Sequence, residues 1–122
     1  MYTAYVLSEQ SRKQLAEVFP PKFSDHIGHH ITIAFGVPKG TETPKQPTDV
    51  KVIGYVCDDE GLETLLVSVD GSAARPDGKT FHITWSLERD KFKPKDSNEL
   101  IEHGILQLGP IVPITVTPAV LK

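Results

Sequence analysis

His30-Ile31-Thr32-Ile33 and His82-Ile83-Thr84-Trp85 follow one pattern: a histidine, an apolar residue, a threonine, another apolar residue. Each lies in a run rich in β-formers, residues 29–35 and 80–87, bounded by turn-rich loops, and reads as a strand. Residues i and i+2 of a strand share a face. The first run therefore sorts His30, Thr32 and Ala34 against Ile31, Ile33 and Phe35. The second sorts His82, Thr84 and Ser86 against Phe81, Ile83 and Trp85. The apolar sets are expected to form a core under the helices, with the polar sets lining an open face of the sheet.

The neighbouring segments fit around these two strands. Residues 2–7 read as a strand, and Ser8 is placed to cap a helix over residues 9–19. Leu15, Val18 and Phe19 make its apolar face, Glu9 and Lys13 pair on its wet side, and Pro20-Pro21 stops it. A long Gly/Pro/Thr/Lys loop, Gly36 to Thr48, follows the first motif strand. Residues 50–57 and 62–69 form a predicted hairpin through Asp58-Asp59-Glu60-Gly61. Residues 70–79 are turn-rich, and Glu88 to Lys95 reads as a solvated charged connector. A short helix is expected from Asp96, with Glu99 completing a capping box, ending near Gly104. Two strand-like runs over 105–117, broken at Gly109-Pro110, close the chain, with Pro113 suited to an edge strand. The expected class is α+β.

The chain has 122 residues, enough for one domain over 1–122 with one core. Its formal net charge of -3 argues against a broad basic face for duplex DNA, and leaves room for a pocket holding one or two phosphates. One cysteine, Cys57, excludes an internal disulfide, and no CxxC zinc pattern exists. A reducing, cytoplasmic setting follows, and Cys57 is expected to be a small buried apolar residue. Met1 to Leu7 is too short for a signal-peptide core, with Glu9, Arg12 and Lys13 close behind. No apolar run approaches membrane-spanning length.

The paired motifs suit one chemistry. In-line displacement at a phosphodiester needs a base beside the attacking oxygen and an acid beside the leaving oxygen. Imidazoles titrate near neutrality, so one can be neutral while the other is charged. A hydroxyl beside each can donate to the non-bridging oxygens. No metal or other cofactor is required. His26, His29 and His30 are close in sequence, but His29 and His30 are expected on opposite faces of a strand, which is poor geometry for joint metal ligation. His29 reads as a strand-start residue and His26 as a loop residue. Trp85 and Phe81 are expected in the core. Tyr5 on the first strand, and Lys39, Arg75 and Lys79 in the loops beside the motifs, are candidate substrate-binding residues.

At these residues the chain resembles the two-histidine (2H) phosphoesterase superfamily, which includes LigT-like RNA phosphodiesterases and the cyclic phosphodiesterase domains of some RNA ligases. Its hallmark is a pair of His-hydrophobic-Thr/Ser-hydrophobic strands facing across a cleft, and both are complete here. The order strand, helix, first motif also agrees. Family members often carry a helix before each motif strand, whereas the ten residues between Val69 and Thr80 are too few and too turn-rich for one. The chain looks like a compact branch. The resemblance implies two pseudo-symmetric antiparallel β-rich lobes with two flanking helices around a central groove. It implies metal-independent hydrolysis of a 2′,3′-cyclic phosphate RNA end, or of a 2′-5′ or cyclic oligonucleotide linkage. His30 and His82 would be the acid–base pair, and Thr32 and Thr84 the phosphate donors. The alternative is a module that binds a phosphorylated nucleotide or RNA end without turning it over.

Overall fold

The two motif runs become β3 (His30–Phe35) and β6 (His82–Leu87), and they are neighbours at the middle of one antiparallel sheet. The computed structural model describes residues Met1–Lys122. The other elements are β1 (Tyr2–Leu7), α1 (Glu9–Val18), β2 (Asp25–His26), β4 (Val50–Asp58), β5 (Leu62–Val69), a 3-10 turn (Pro94–Asp96), α2 (Ser97–His103), β7 (Gln107–Pro113) and β8 (Val116–Leu121). The strand order is β7-β4-β5-β6-β3-β1-β8, with β2 also paired to β6. The class is α+β, as the patterning implied. No helix is long and apolar enough to cross a membrane.

The core lies on the α1 side of the sheet. Ile31, Ile83, Trp85, Leu65 and Val67 are fully buried there together with Leu15 of α1. Each such side chain contributes roughly 1.5–3 kcal/mol on burial. Ser8 caps α1, its Oγ accepting from Ser11 N at 3.1 Å. Trp85 Nε1 donates to the Phe19 carbonyl at the end of α1 (2.8 Å), which satisfies the indole inside the core. Gly28, at φ 47, passes so close to Trp85 that a Cβ there would lie 2.6 Å from the indole. This turn delivers the chain into β3.

Two β-bulges change the face assignments made from simple alternation. Between β1 and β3, Thr3 pairs with Ala34 and Ala4 with Thr32, so Ile33 is an extra residue. Beyond it the faces exchange, and Phe35 leaves the Ile31 face for the His30 face, where it is 63% exposed. Between β5 and β6, Glu63 pairs with Ser86 and Thr64 with Thr84, which leaves Trp85 extra. Ser86 is thereby turned away from His82 and Thr84. Its Oγ donates to the Glu63 carboxylate, which also accepts from Tyr55 Oη and Lys22 N.

The second half differs from expectation in three ways. The expected helix forms as α2 between Asp96 and Gly104, but a 3-10 turn precedes it, with Pro94 in its first position, where a missing N–H costs nothing. Asp96 caps backward, accepting from Lys93 N at 2.8 Å, so the box with Glu99 does not form. And α2 packs on the sheet face opposite α1, over the polar set, so the apolar set lies under α1 alone: Ser97 Oγ bonds Thr64 and Thr84. In the tail, Gly109-Pro110 lies inside β7, an edge strand tolerant of proline. The break falls at 114–115 instead, and β8 crosses to pair with β1 at the far edge.

Candidate active site

The antiparallel register of β3 and β6 pairs Ile31 with Ile83. Stepping one residue either way sets His30 across from Thr84 and Thr32 across from His82, all on the face away from the core. His30, Thr32, His82 and Thr84 line one cavity of about 300 Å³. Tyr2, Ile27, Phe35, Arg75, Pro94, Lys95 and Asn98 complete its wall. Strand register supplies the four motif side chains, the Ile33 bulge adds Phe35, and the 3-10 turn and start of α2 form the roof.

The two histidines are held differently. His82 Nδ1 lies 2.8 Å from the Thr80 carbonyl. A carbonyl only accepts, so that nitrogen carries the proton and Nε2 is left for the cavity. Burial lowers the His82 pKa from the ordinary 6.5, the Thr80 bond opposes this, and Arg75 adds to the lowering. His30 Nδ1 lies 3.0 Å from His29 Nδ1, so its partner is itself an imidazole. Burial, then His29, then His82 lower the His30 pKa to about 4. The Tyr2 ring sits 5.4 Å from the His30 ring.

The hydroxyls are also held. Thr84 Oγ1 lies 2.8 Å from Ser97 Oγ and 3.2 Å from the Pro94 carbonyl, and Ser97 Oγ lies 2.7 Å from Thr64 Oγ1. Thr64 and Ser97 are completely buried, so this is a three-hydroxyl chain ending at the cavity.

Comparison with protein-family models, curated proteins and solved structures found no match.

The candidate binding residues divide. Arg75 reaches the cavity with its side chain only 1% exposed. Its Nε and Nη2 donate to the two carboxylate oxygens of Asp77, each at 2.9 Å, while Nη1 is buried with no partner. The Phe35 ring lies 5.7 Å from the guanidinium. Lys79 lies on an adjoining cleft that shares Phe35, Arg75, Lys95 and Asn98 with the cavity. Lys39 is exposed in a turn and lines no cavity. Tyr5 pairs with Ile31 and packs against the core, so it faces away from the groove, and its hydroxyl pKa is raised by burial. Tyr2, three residues earlier, takes the position by the histidines.

The sequence does not mark Tyr2, Pro94, Lys95, Asn98 or Ser97 as site residues, and its alternation sets Phe35 on the core face and His29 away from His30. The run Arg89 to Lys95, read as a solvated connector, contributes its last two residues, Pro94 and Lys95, to the roof. The cue that was present was proline followed by a helix start, which fixes where a helix N-terminus sits but not what it covers. His29 does not point away from His30: their ring centroids are 5.2 Å apart. It precedes β3 and escapes the strand alternation. Cys57 is half-buried rather than buried, and burial raises its thiol pKa. A larger hollow of about 600 Å³ lies by Cys57, Phe92 and Leu100, away from the paired imidazoles. No group of three or more His, Cys, Asp or Glu side chains gathers to hold a metal ion.

Proposed function

We propose that the chain is a 2H-type phosphodiesterase. It hydrolyses a 2′,3′-cyclic phosphate RNA end, or a 2′-5′ or cyclic oligonucleotide linkage, by paired-histidine catalysis without a metal, in the cytoplasm. The observation that carries this reading is the meeting of His30, Thr32, His82 and Thr84 in one cavity, each imidazole with one ring nitrogen free for a ligand. We also read the sheet as two pseudo-symmetric lobes, β8-β1-β3 and β6-β5-β4-β7, each contributing one motif at the joint.

The environments suggest the roles. His30, with its pKa near 4, is neutral at working pH and acts as the base, its Nε2 taking a proton from the attacking water. His82, whose Nδ1–H is held by the Thr80 carbonyl, carries the proton given to the leaving oxygen. Thr32 donates to a non-bridging oxygen, where charge grows in the transition state, and Thr84 does the same once its hydroxyl turns from the Pro94 carbonyl to the phosphate. Arg75 and Lys95 add positive charge to the wall, and Tyr2 and Phe35 offer surfaces for a base.

The test is a screen of cyclic-phosphate RNA ends, 2′-5′ oligoadenylate and cyclic dinucleotides with excess chelator, using the protein and its His30→Ala/His82→Ala variant. Turnover of one class by the protein and not by the variant supports the reading. Equal turnover by both, or none by either, sinks it. Ligand binding by calorimetry without product would leave the binding module in its place.

A further inference from the structure

The two catalytic histidines of the proposed site differ in what fixes their tautomers. The Thr80 carbonyl is a permanent acceptor, so His82 always presents Nε2 to the cavity as a lone pair or as a bound proton. The partner of His30 Nδ1 is His29 Nδ1 at 3.0 Å, and His29 is exposed to solvent. Two ring nitrogens at that distance share one proton, and which ring owns it decides what His30 can do. If neutral His29 accepts, His30 carries its proton on Nδ1 and offers a lone pair at Nε2. If His29 is protonated, its Nδ1–H donates to the Nδ1 lone pair of His30, and the proton of neutral His30 must sit on Nε2. A base with a proton on its working nitrogen is no base.

We propose that His29 is the positioning residue of this site: in its neutral form it holds His30 in the Nδ1–H tautomer that exposes a basic Nε2, and on protonation it reverses that tautomer and switches the base off. The proposal rests on the phosphodiesterase reading for its catalytic consequence, but not for the tautomer itself. The other groups facing His30 do not offer an alternative control of Nδ1. Tyr2 on β1 faces it ring to ring, His82 on β6 acts through space, and Arg75 and Lys95 line the cavity wall. Burial, then the His29 and His82 rings, disfavour a charged His30.

Two variants separate the possibilities. His29→Asn supplies an amide oxygen that accepts from His30 Nδ1–H at every pH, and His29→Phe removes the acceptor. Ring nitrogen-15 NMR on the whole protein, with His30 assigned by His30→Gln, reads the tautomer directly between about pH 5 and about pH 8. The expected result is an Nδ1–H His30 at high pH in the wild type, giving way to Nε2–H as His29 takes up a proton. In His29→Asn it stays Nδ1–H throughout, and in His29→Phe that preference is lost. Kinetically, His29→Asn moves the acid limb of kcat/KM to lower pH, and His29→Phe lowers kcat about tenfold with KM retained. An identical His30 tautomer in all three proteins overturns the proposal. Tautomers that follow His29 in a protein that cleaves no phosphodiester uphold it and overturn the phosphodiesterase reading. Turnover with an acid limb indifferent to His29→Asn overturns the proposal and spares the reading.

Discussion

Removing the Ser97 hydroxyl is the cleanest perturbation of the hydroxyl chain behind the site. Ser97 Oγ sits between Thr64 Oγ1 at 2.7 Å and Thr84 Oγ1 at 2.8 Å, and Ser97 and Thr64 are 0% exposed. Ser97→Ala deletes two hydrogen bonds worth about 1 kcal/mol each, and leaves the Thr64 hydroxyl buried without its partner, a cost of about 1–3 kcal/mol. Thr84 retains the Pro94 carbonyl at 3.2 Å, so its loss is partial. The expected destabilisation is about 2–3 kcal/mol. Thr64→Val added to Ser97→Ala removes the orphaned hydroxyl with little change of shape. The double variant is therefore more stable than the sum of the single losses predicts, by about 1–2 kcal/mol. Urea unfolding at neutral pH measures this as a shift in midpoint with unchanged slope. A Ser97→Ala loss below about 0.5 kcal/mol, or strict additivity with Thr64→Val, would refute the reasoning.

Other expectations follow from named contacts. Gly28→Ala forces a Cβ to 2.6 Å from the Trp85 ring at a φ of 47 and should cost about 2–4 kcal/mol, read by the same unfolding assay. The lowered pKa of His30 also gives a signed dependence of stability on pH. The unfolded chain takes up a proton at the ordinary 6.5, and the folded His30 only at about 4. The associated stability is full above 6.5 and falls away as pH drops through that window. Its full size would be about 3 kcal/mol, and solvent at the cavity mouth reduces it to ~2 kcal/mol. His30→Asn should flatten the curve between about pH 6.5 and about pH 4, checked by unfolding across that range. His26 and His82, lowered in the same direction, keep some slope in the variant.

The parts of the fold readable from sequence are those governed by local pattern. The helix cap at Ser8, the proline stop after Phe19, the β4–β5 hairpin and the sorting of Ile31, Ile83 and Trp85 from His30, Thr32, His82 and Thr84 all come from residue chemistry over a few positions. The bulges at Ile33 and Trp85 do not. A bulge is set by how two strands twist against one another, and neither residue type signals it, so alternation alone puts Phe35 and Ser86 on the wrong faces. The roof over the cavity was hidden for a related reason: Pro94 announces a helix start, but only tertiary packing decides that Lys95, Ser97 and Asn98 lie over β6. Tyr5 and Tyr2 lie on opposite faces of β1, and only the register, which pairs Tyr5 with Ile31, shows that Tyr2 is the one facing the histidines. The far end of β8 is not legible in the sequence because its partner, β1, is at the other end of the chain.

The central claim is that His30 and His82 act as base and acid on one phosphodiester. The most direct measurement is the pH dependence of kcat/KM, in chelator, for the wild type and for His30→Ala and His82→Ala on the substrate class the screen selects. The account predicts a bell on the acid side of 6.5, since burial lowers both imidazoles below that value. The rising limb belongs to His30, and the falling limb to His82. Each alanine variant should lose about 100- to 10,000-fold in rate and its own limb of the bell. A bell that survives intact in either variant, or a rate within about tenfold of wild type in both, would contradict it.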